Sequence, residues 1–230
     1  MSAIKPARLY VECGTLYVLS LAATFFNQHA ASPQMEEMTF VAVIVILMFG
    51  PWVCGRFVNR RSGEASGAEV VLSLKDACLG LGVALGLLLP VCLGAWVWYT
   101  QVVGMTFGFD VTAYATAQPG WLERIITQVL IVALPEEFFY RGYLMTTLRD
   151  GLERRGNWTP RRLNVTLILV TSVMFAVAHT MGGDVVRLNT FFPALLFGFV
   201  RTRCDGILGC ILLHASCNLM MQGILVHFSF

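Results

Sequence analysis

Long uninterrupted apolar runs constrain this chain more than any other feature. Seven of them fall at about 9–28, 38–53, 77–102, 121–148, 163–181, 188–200 and 206–228. Crossing a hydrocarbon core takes about 20 apolar residues in a helix, and a lipid-exposed open sheet edge leaves backbone groups unsatisfied. The runs therefore predict an all-α, polytopic transmembrane bundle of about seven spans. The second and sixth runs are short for a full crossing. Only 13% of the 230 residues are charged, against about 25% in an ordinary soluble domain. The whole chain, 1–230, reads as one membrane domain, with N-terminal spans over 1–120 and a polar-motif core over 121–219. A net charge of +2 leaves no basic surface for nucleic acid.

The basic residues sort by loop. Lys5 and Arg8 precede the first run; Arg56, Arg60, Arg61 and Lys75 follow the second. Arg149, Arg154, Arg155, Arg161 and Arg162 follow the fourth, and Arg201 and Arg203 the sixth. The intervening loops hold Glu36, Glu37, Asp110 and Asp184, with Arg187 as the main exception. The positive-inside rule then puts the N-terminus in the cytoplasm and the C-terminus outside. The run after Lys5 and Arg8 has no small-residue cleavage site and is expected to remain as the first span. The seven cysteines form no CxxC pair, and most sit in apolar runs, where they read as small packing residues.

Against this background the stretch LPEEFFYRGYL, 134–144, stands out. Pro135 is expected to disturb the fourth helix just before the glutamates. Glu137 and Arg141 are spaced i,i+4 and can pair on one face, which lowers the cost of burying both. Glu136 points about 100° away. A carboxylate without a helical partner inside a membrane span is a functional candidate by default. Later spans supply partners: His179 ends FAVAH, and His214 and Asn218 share a face in HASCN. A single histidine in an apolar run is more often a satisfied core residue. Four polar groups on three spans instead predict one inward cavity built from Glu136, His179, His214 and Asn218. His29 and His227 read as interfacial.

A glutamate and a histidine can take a proton from water, while a histidine and an amide can donate to an oxyanion. The set suits peptide hydrolysis. Glu136, His179 and His214 also match a zinc site with an open position, although HExxH spacing is absent. A transporter or proton relay would use the same groups, but no internal repeat accompanies them.

The order EEFFYR (136–141), FAVAH (175–179) and HASCN (214–218) resembles the CPBP family of intramembrane endopeptidases, with FFPALLFGFV (191–200) similar to its weaker intervening motif. The family spans CAAX prenyl endopeptidases, bacteriocin-processing and immunity proteins, and a myxosortase-like branch acting at C-terminal sorting signals. The resemblance covers about 121–219. It implies a glutamate-activated water at Glu136 with His179, an oxyanion pair in His214 and Asn218, and support from Glu137 and Arg141. The resemblance leaves metal use open, since some members are described as metalloproteases. No resident cofactor is the expectation, because the Asn218 amide suits an oxyanion better than zinc, with a divalent metal such as zinc as the alternative. The implied partners are the bilayer and a membrane-associated protein or peptide substrate, and the implied location is a bacterial cell membrane. A sorting-signal protease with an outward-facing site is the first expectation. CAAX-type processing facing the cytoplasm, and a non-enzymatic transporter or immunity scaffold, are the alternatives.

Overall fold

The computed structural model describes residues 6–54, 73–108, 120–225 and 228–229. Lys5, Arg56, Arg60, Arg61, Asp110 and His227, used above, lie outside them. The fold is an all-α helical membrane bundle. Helix α1 is Pro6–Gln28, α2 Pro33–Val53 and α3 Leu74–Val97, the last extended by the π-helical turn Trp98–Val103. Helix α4 is a continuous rod made of Trp121–Ile126, Thr127–Ala133, Leu134–Glu137, Phe138–Leu144 and Met145–Glu153. Helix α5 is Pro160–His179, α6 Phe191–Arg201 and α7 Leu208–Leu225. A two-residue antiparallel bridge, Thr106–Phe107 with Phe228–Ser229, is the one strand pairing among the described residues.

Local chemistry sets several helix starts. Ser32, Ser73 and Thr159 each turn a side-chain oxygen to an orphan N–H of the first turn, at Met35, Asp76 and Arg162. Pro33 and Pro160 follow at the first helical position, where a missing N–H costs nothing. Four helical stretches, Pro6–Gln28, Pro33–Val53, Leu74–Val103 and Pro160–Gly182, are long and apolar enough to cross a membrane. Their outward faces carry large apolar side chains such as Phe26, Phe49, Leu85 and Val173, as a lipid-facing surface requires.

Two expectations change. The sixth run is not a full span: Val185–Thr190 forms 3-10 turns and α6 is only 11 residues, about 16 Å, or half the hydrocarbon thickness. The Asp184 side chain accepts from the Val186 N–H and holds this segment in tight turns, so helix begins only at Phe191. The disturbance at Pro135 takes the form of widened turns. The π-helical segments Thr127–Ala133 and Phe138–Leu144 flank the four residues Leu134–Glu137, and the rod stays helical throughout.

Helix α7, which carries His214 and Asn218, is fixed against α3 by a close backbone approach. A Cβ on Gly80 would collide with the Gly209 carbonyl, and one on Gly209 would sit 2.6 Å from the Asp76 carbonyl oxygen. Small residues that let helices approach this way are a common membrane packing device. Asp76, fully buried, accepts hydrogen bonds from the Asp205 N–H (3.2 Å) and the Gly206 N–H (2.9 Å), just before α7. Near the other end of α4, Tyr143 donates to the buried carboxylate of Glu12 at 2.6 Å, and Tyr17 donates to the Met174 carbonyl at 2.8 Å. These bonds tie α1 to α4 and α5.

Candidate active site

Glu137 is fully buried in α4, and its Oε1 accepts from two cationic or aromatic N–H groups. Arg141 NH1 donates at 3.0 Å, one helical turn on, and His214 Nδ1 lies at 2.9 Å across the bundle. Arg141, also fully buried, donates NH2 to the Ala194 carbonyl of α6 at 3.0 Å. Its guanidinium carbon lies 4.7 Å from the Phe175 ring centroid and 5.2 Å from that of Phe197. The planar guanidinium therefore meets α4, α5 and α6 at once, with ring faces replacing part of its hydration. The predicted Glu137–Arg141 pair is present. Its link to His214 joins it to α7 as well.

Glu136 faces the other way, into a cavity of about 780 Å³. His179, His214 and Asn218 line the same cavity, so all four groups singled out from the sequence meet in one place. Glu136 Oε2 lies 3.9 Å from His179 Nε2 and 3.8 Å from His214 Nε2, beyond direct hydrogen bonding. That oxygen is buried and has no hydrogen-bond partner. Both rings are oriented from behind. His179 Nδ1 is 2.9 Å from the Phe175 carbonyl, which can only accept, and His214 Nδ1 faces the Glu137 carboxylate. Those partners assign the proton to Nδ1 in each ring and turn each Nε2 toward Glu136. His214 also stacks on Phe197, with centroids 4.7 Å apart and planes 20° apart.

Asn218 lies one turn beyond His214 and donates Nδ2 to Gln128 Oε1 at 3.0 Å. Gln128 and Tyr140 also line the cavity, and neither was singled out from the sequence. The available signal for Gln128 was a lone amide in the apolar run TQVLIVAL, two turns before Glu136. Asn27, Gln28, Arg187 and Asn189 mark the polar rim of the cavity. Arg187 itself pairs loosely with Asp184 at 3.7 Å.

An unpartnered carboxylate oxygen, two aimed imidazoles and an amide around a cavity inside a helical membrane bundle are groups that an intramembrane hydrolase can use. Residues 118–220 match the family model described as type II CAAX prenyl endopeptidase Rce1-like. Residues 118–220 thus match an Rce1-like domain of the CPBP family, and this match indicates a membrane endopeptidase. No curated protein and no solved structure matches it.

Proposed function

We propose that the enzyme hydrolyses a peptide bond close to a C-terminal anchor or sorting signal of a membrane-associated protein, using water activated at Glu136. The observation that carries this reading is the orphaned Glu136 Oε2 between two imidazole Nε2 atoms. A water there donates one hydrogen to Glu136 and the other to His179 Nε2. As its oxygen attacks the scissile carbonyl, Glu136 takes the proton and returns it to the departing amine. The carbonyl oxygen becomes an oxyanion that accepts from Asn218 Nδ2–H. His214 already spends Nδ1–H on Glu137, so its Nε2 donates to the oxyanion only when the ring carries a second proton.

The spacing also bears on the metal alternative. Zinc bonds of about 2.0–2.1 Å place tetrahedral ligand atoms about 3.4 Å apart. The separations of 3.9 and 3.8 Å are wider, whereas a water oxygen fits at about 2.8 Å from both partners. Among the described residues no group of three His, Cys, Asp or Glu is spaced to hold a metal ion.

The arginines of 149–162 and Arg201 lie at the opposite helix ends from the cavity rim at Gln28 and Asn189. The positive-inside rule makes the arginine-rich end cytoplasmic and opens the cavity outward. That orientation supports processing of exported proteins in a bacterial cell membrane. A second reading, CAAX-type cleavage facing the cytoplasm, is favoured by the description of the matched family. Co-expression of candidate substrates with the wild type and with Glu136→Ala, followed by mass-spectrometric mapping of new termini, tests both. A new terminus that persists in Glu136→Ala refutes the proposed chemistry.

A further inference from the structure

A second cavity, of about 280 Å³, lies at the arginine-rich end of the bundle, where α4 ends, α5 begins and α6 ends. Arg141, Arg149 and Arg201 line it, together with Thr146, Asn164 and Thr202, and no carboxylate does. We propose that this cavity binds a phosphate group, and that the headgroup of an anionic phospholipid is its source in the membrane. The inference is independent of which bond the enzyme cuts.

The charges are unequally compensated. Arg141 is balanced by Glu137. Arg201 spends Nε on the Arg141 carbonyl (3.2 Å) and NH1 on the Cys204 carbonyl (3.3 Å), both neutral acceptors. Arg149 donates NH2 to Asn164 Oδ1 at 2.7 Å, and its carboxylate contact, Glu153, is 3.9 Å away and more than half exposed. Two guanidinium groups thus face one cavity without a close carboxylate. In addition the Nε–H of Arg141 is buried and has no partner. Guanidinium forks match phosphate oxygens in paired hydrogen bonds, and the threonine hydroxyls stand beside them. Helix ends place the cavity at the headgroup level, where basic pockets between spans take anionic lipid heads.

The proposal links the lipid to the site through one residue. Arg141 lines this cavity on one side and holds Glu137, and through it His214, on the other.

The test uses the full-length protein in nanodiscs of phosphatidylcholine, with phosphatidylglycerol or inorganic phosphate added, and chloride at matched ionic strength as control. Thermal unfolding and native mass spectrometry read binding in the wild type, Arg149→Gln, Arg149→Lys and Thr202→Glu. Thr202→Glu places a carboxylate at the cavity while leaving every arginine bond in place, so it remains informative if Arg149→Gln folds poorly. The expected result is stabilisation by phosphatidylglycerol that is about 10- to 100-fold weaker in Arg149→Gln and Thr202→Glu, and largely kept in Arg149→Lys. Stabilisation by inorganic phosphate with the same variant pattern assigns the site to the free anion. No response to either probe, or equal responses in the wild type and all variants, overturns the proposal.

Discussion

Neutralising Glu137 and neutralising Glu136 remove the same charge from adjacent residues, yet the two changes are expected to fail in opposite ways. Glu137 is fully buried and is the carboxylate that compensates Arg141, itself fully buried. Glu137→Gln strands that cation between Phe175 and Phe197, with only the Ala194 carbonyl and a neutral amide for partners. Breaking a buried pair this way costs about 3–5 kcal/mol. At about 2–4 °C per kcal/mol for a chain of this size, Tm falls by roughly 6–20 °C. Glu136 is about a quarter exposed to its cavity and makes no hydrogen bond through Oε2. Glu136→Gln therefore relieves an unpaired charge, leaving Tm within a few degrees, and abolishes cleavage. Thermal unfolding in one detergent, read alongside cleavage of one substrate, separates the two. A Glu136→Gln protein that melts lower than Glu137→Gln, or that still cleaves at the wild-type rate, refutes the division of labour.

Asn218→Ala is expected to lower kcat by about 100- to 1000-fold, as loss of one oxyanion donor does, with KM little changed; Glu136→Gln loses more. Activity is expected to survive a strong chelator, and loss with recovery on added zinc would recast Glu136, His179 and His214 as ligands. Gly80→Val drives a branched side chain into the Gly209 backbone and is expected to destabilise by at least about 1–3 kcal/mol, seen as a lower Tm. In a background without native cysteines, Val185→Cys is expected to react with an impermeant thiol reagent outside intact cells and Asn157→Cys is not; the opposite pattern turns the cavity to the cytoplasm.

The parts of the site legible in the sequence are those that helical periodicity encodes. Glu137 and Arg141 four apart, and His214 and Asn218 four apart, need no knowledge of neighbouring helices. The count of polar groups on separate spans pointed to a shared cavity because each is costly in lipid. What was not legible depends on pairing between helices. Nothing local says that His214 Nδ1 meets Glu137 rather than Glu136, or that Gln128 meets Asn218, since the helices must first be docked. Asp76 looks like an ordinary first-turn acid, and only the fold shows it pinning the backbone ahead of α7. Glu12 is a lone acid in a first span that reads as an anchor, and its partner Tyr143 lies far along the chain. The sixth run was already short for a crossing in the sequence; what was not legible is that the residues before Phe191 form 3-10 turns, since these follow an Asp184 side chain that accepts from the Val186 N–H.

Three charges in hydrocarbon make sense once their partners are followed in order. Arg141 is the only one of the three that cannot shed its charge, so the rest of the arrangement has to satisfy it. A carboxylate, a carbonyl and two ring faces do so, and they come from three helices. Satisfying Arg141 fixes where Glu137 Oε1 lies, and that oxygen also receives His214 Nδ1. His214 is then held with Nε2 toward the cavity, and the rod geometry turns the neighbouring Glu136 to meet it. Glu136 keeps an oxygen free because the bonds around it run elsewhere: Arg141 NH1 and NH2 to Glu137 and Ala194, His214 Nδ1 to Glu137, His179 Nδ1 to Phe175. The arginine and the second glutamate thus act chiefly by withholding partners from the first. An unpaired carboxylate at that depth is costly by itself, and it is tolerable only beside a cavity that admits water. The same water is the nucleophile that a peptidase needs.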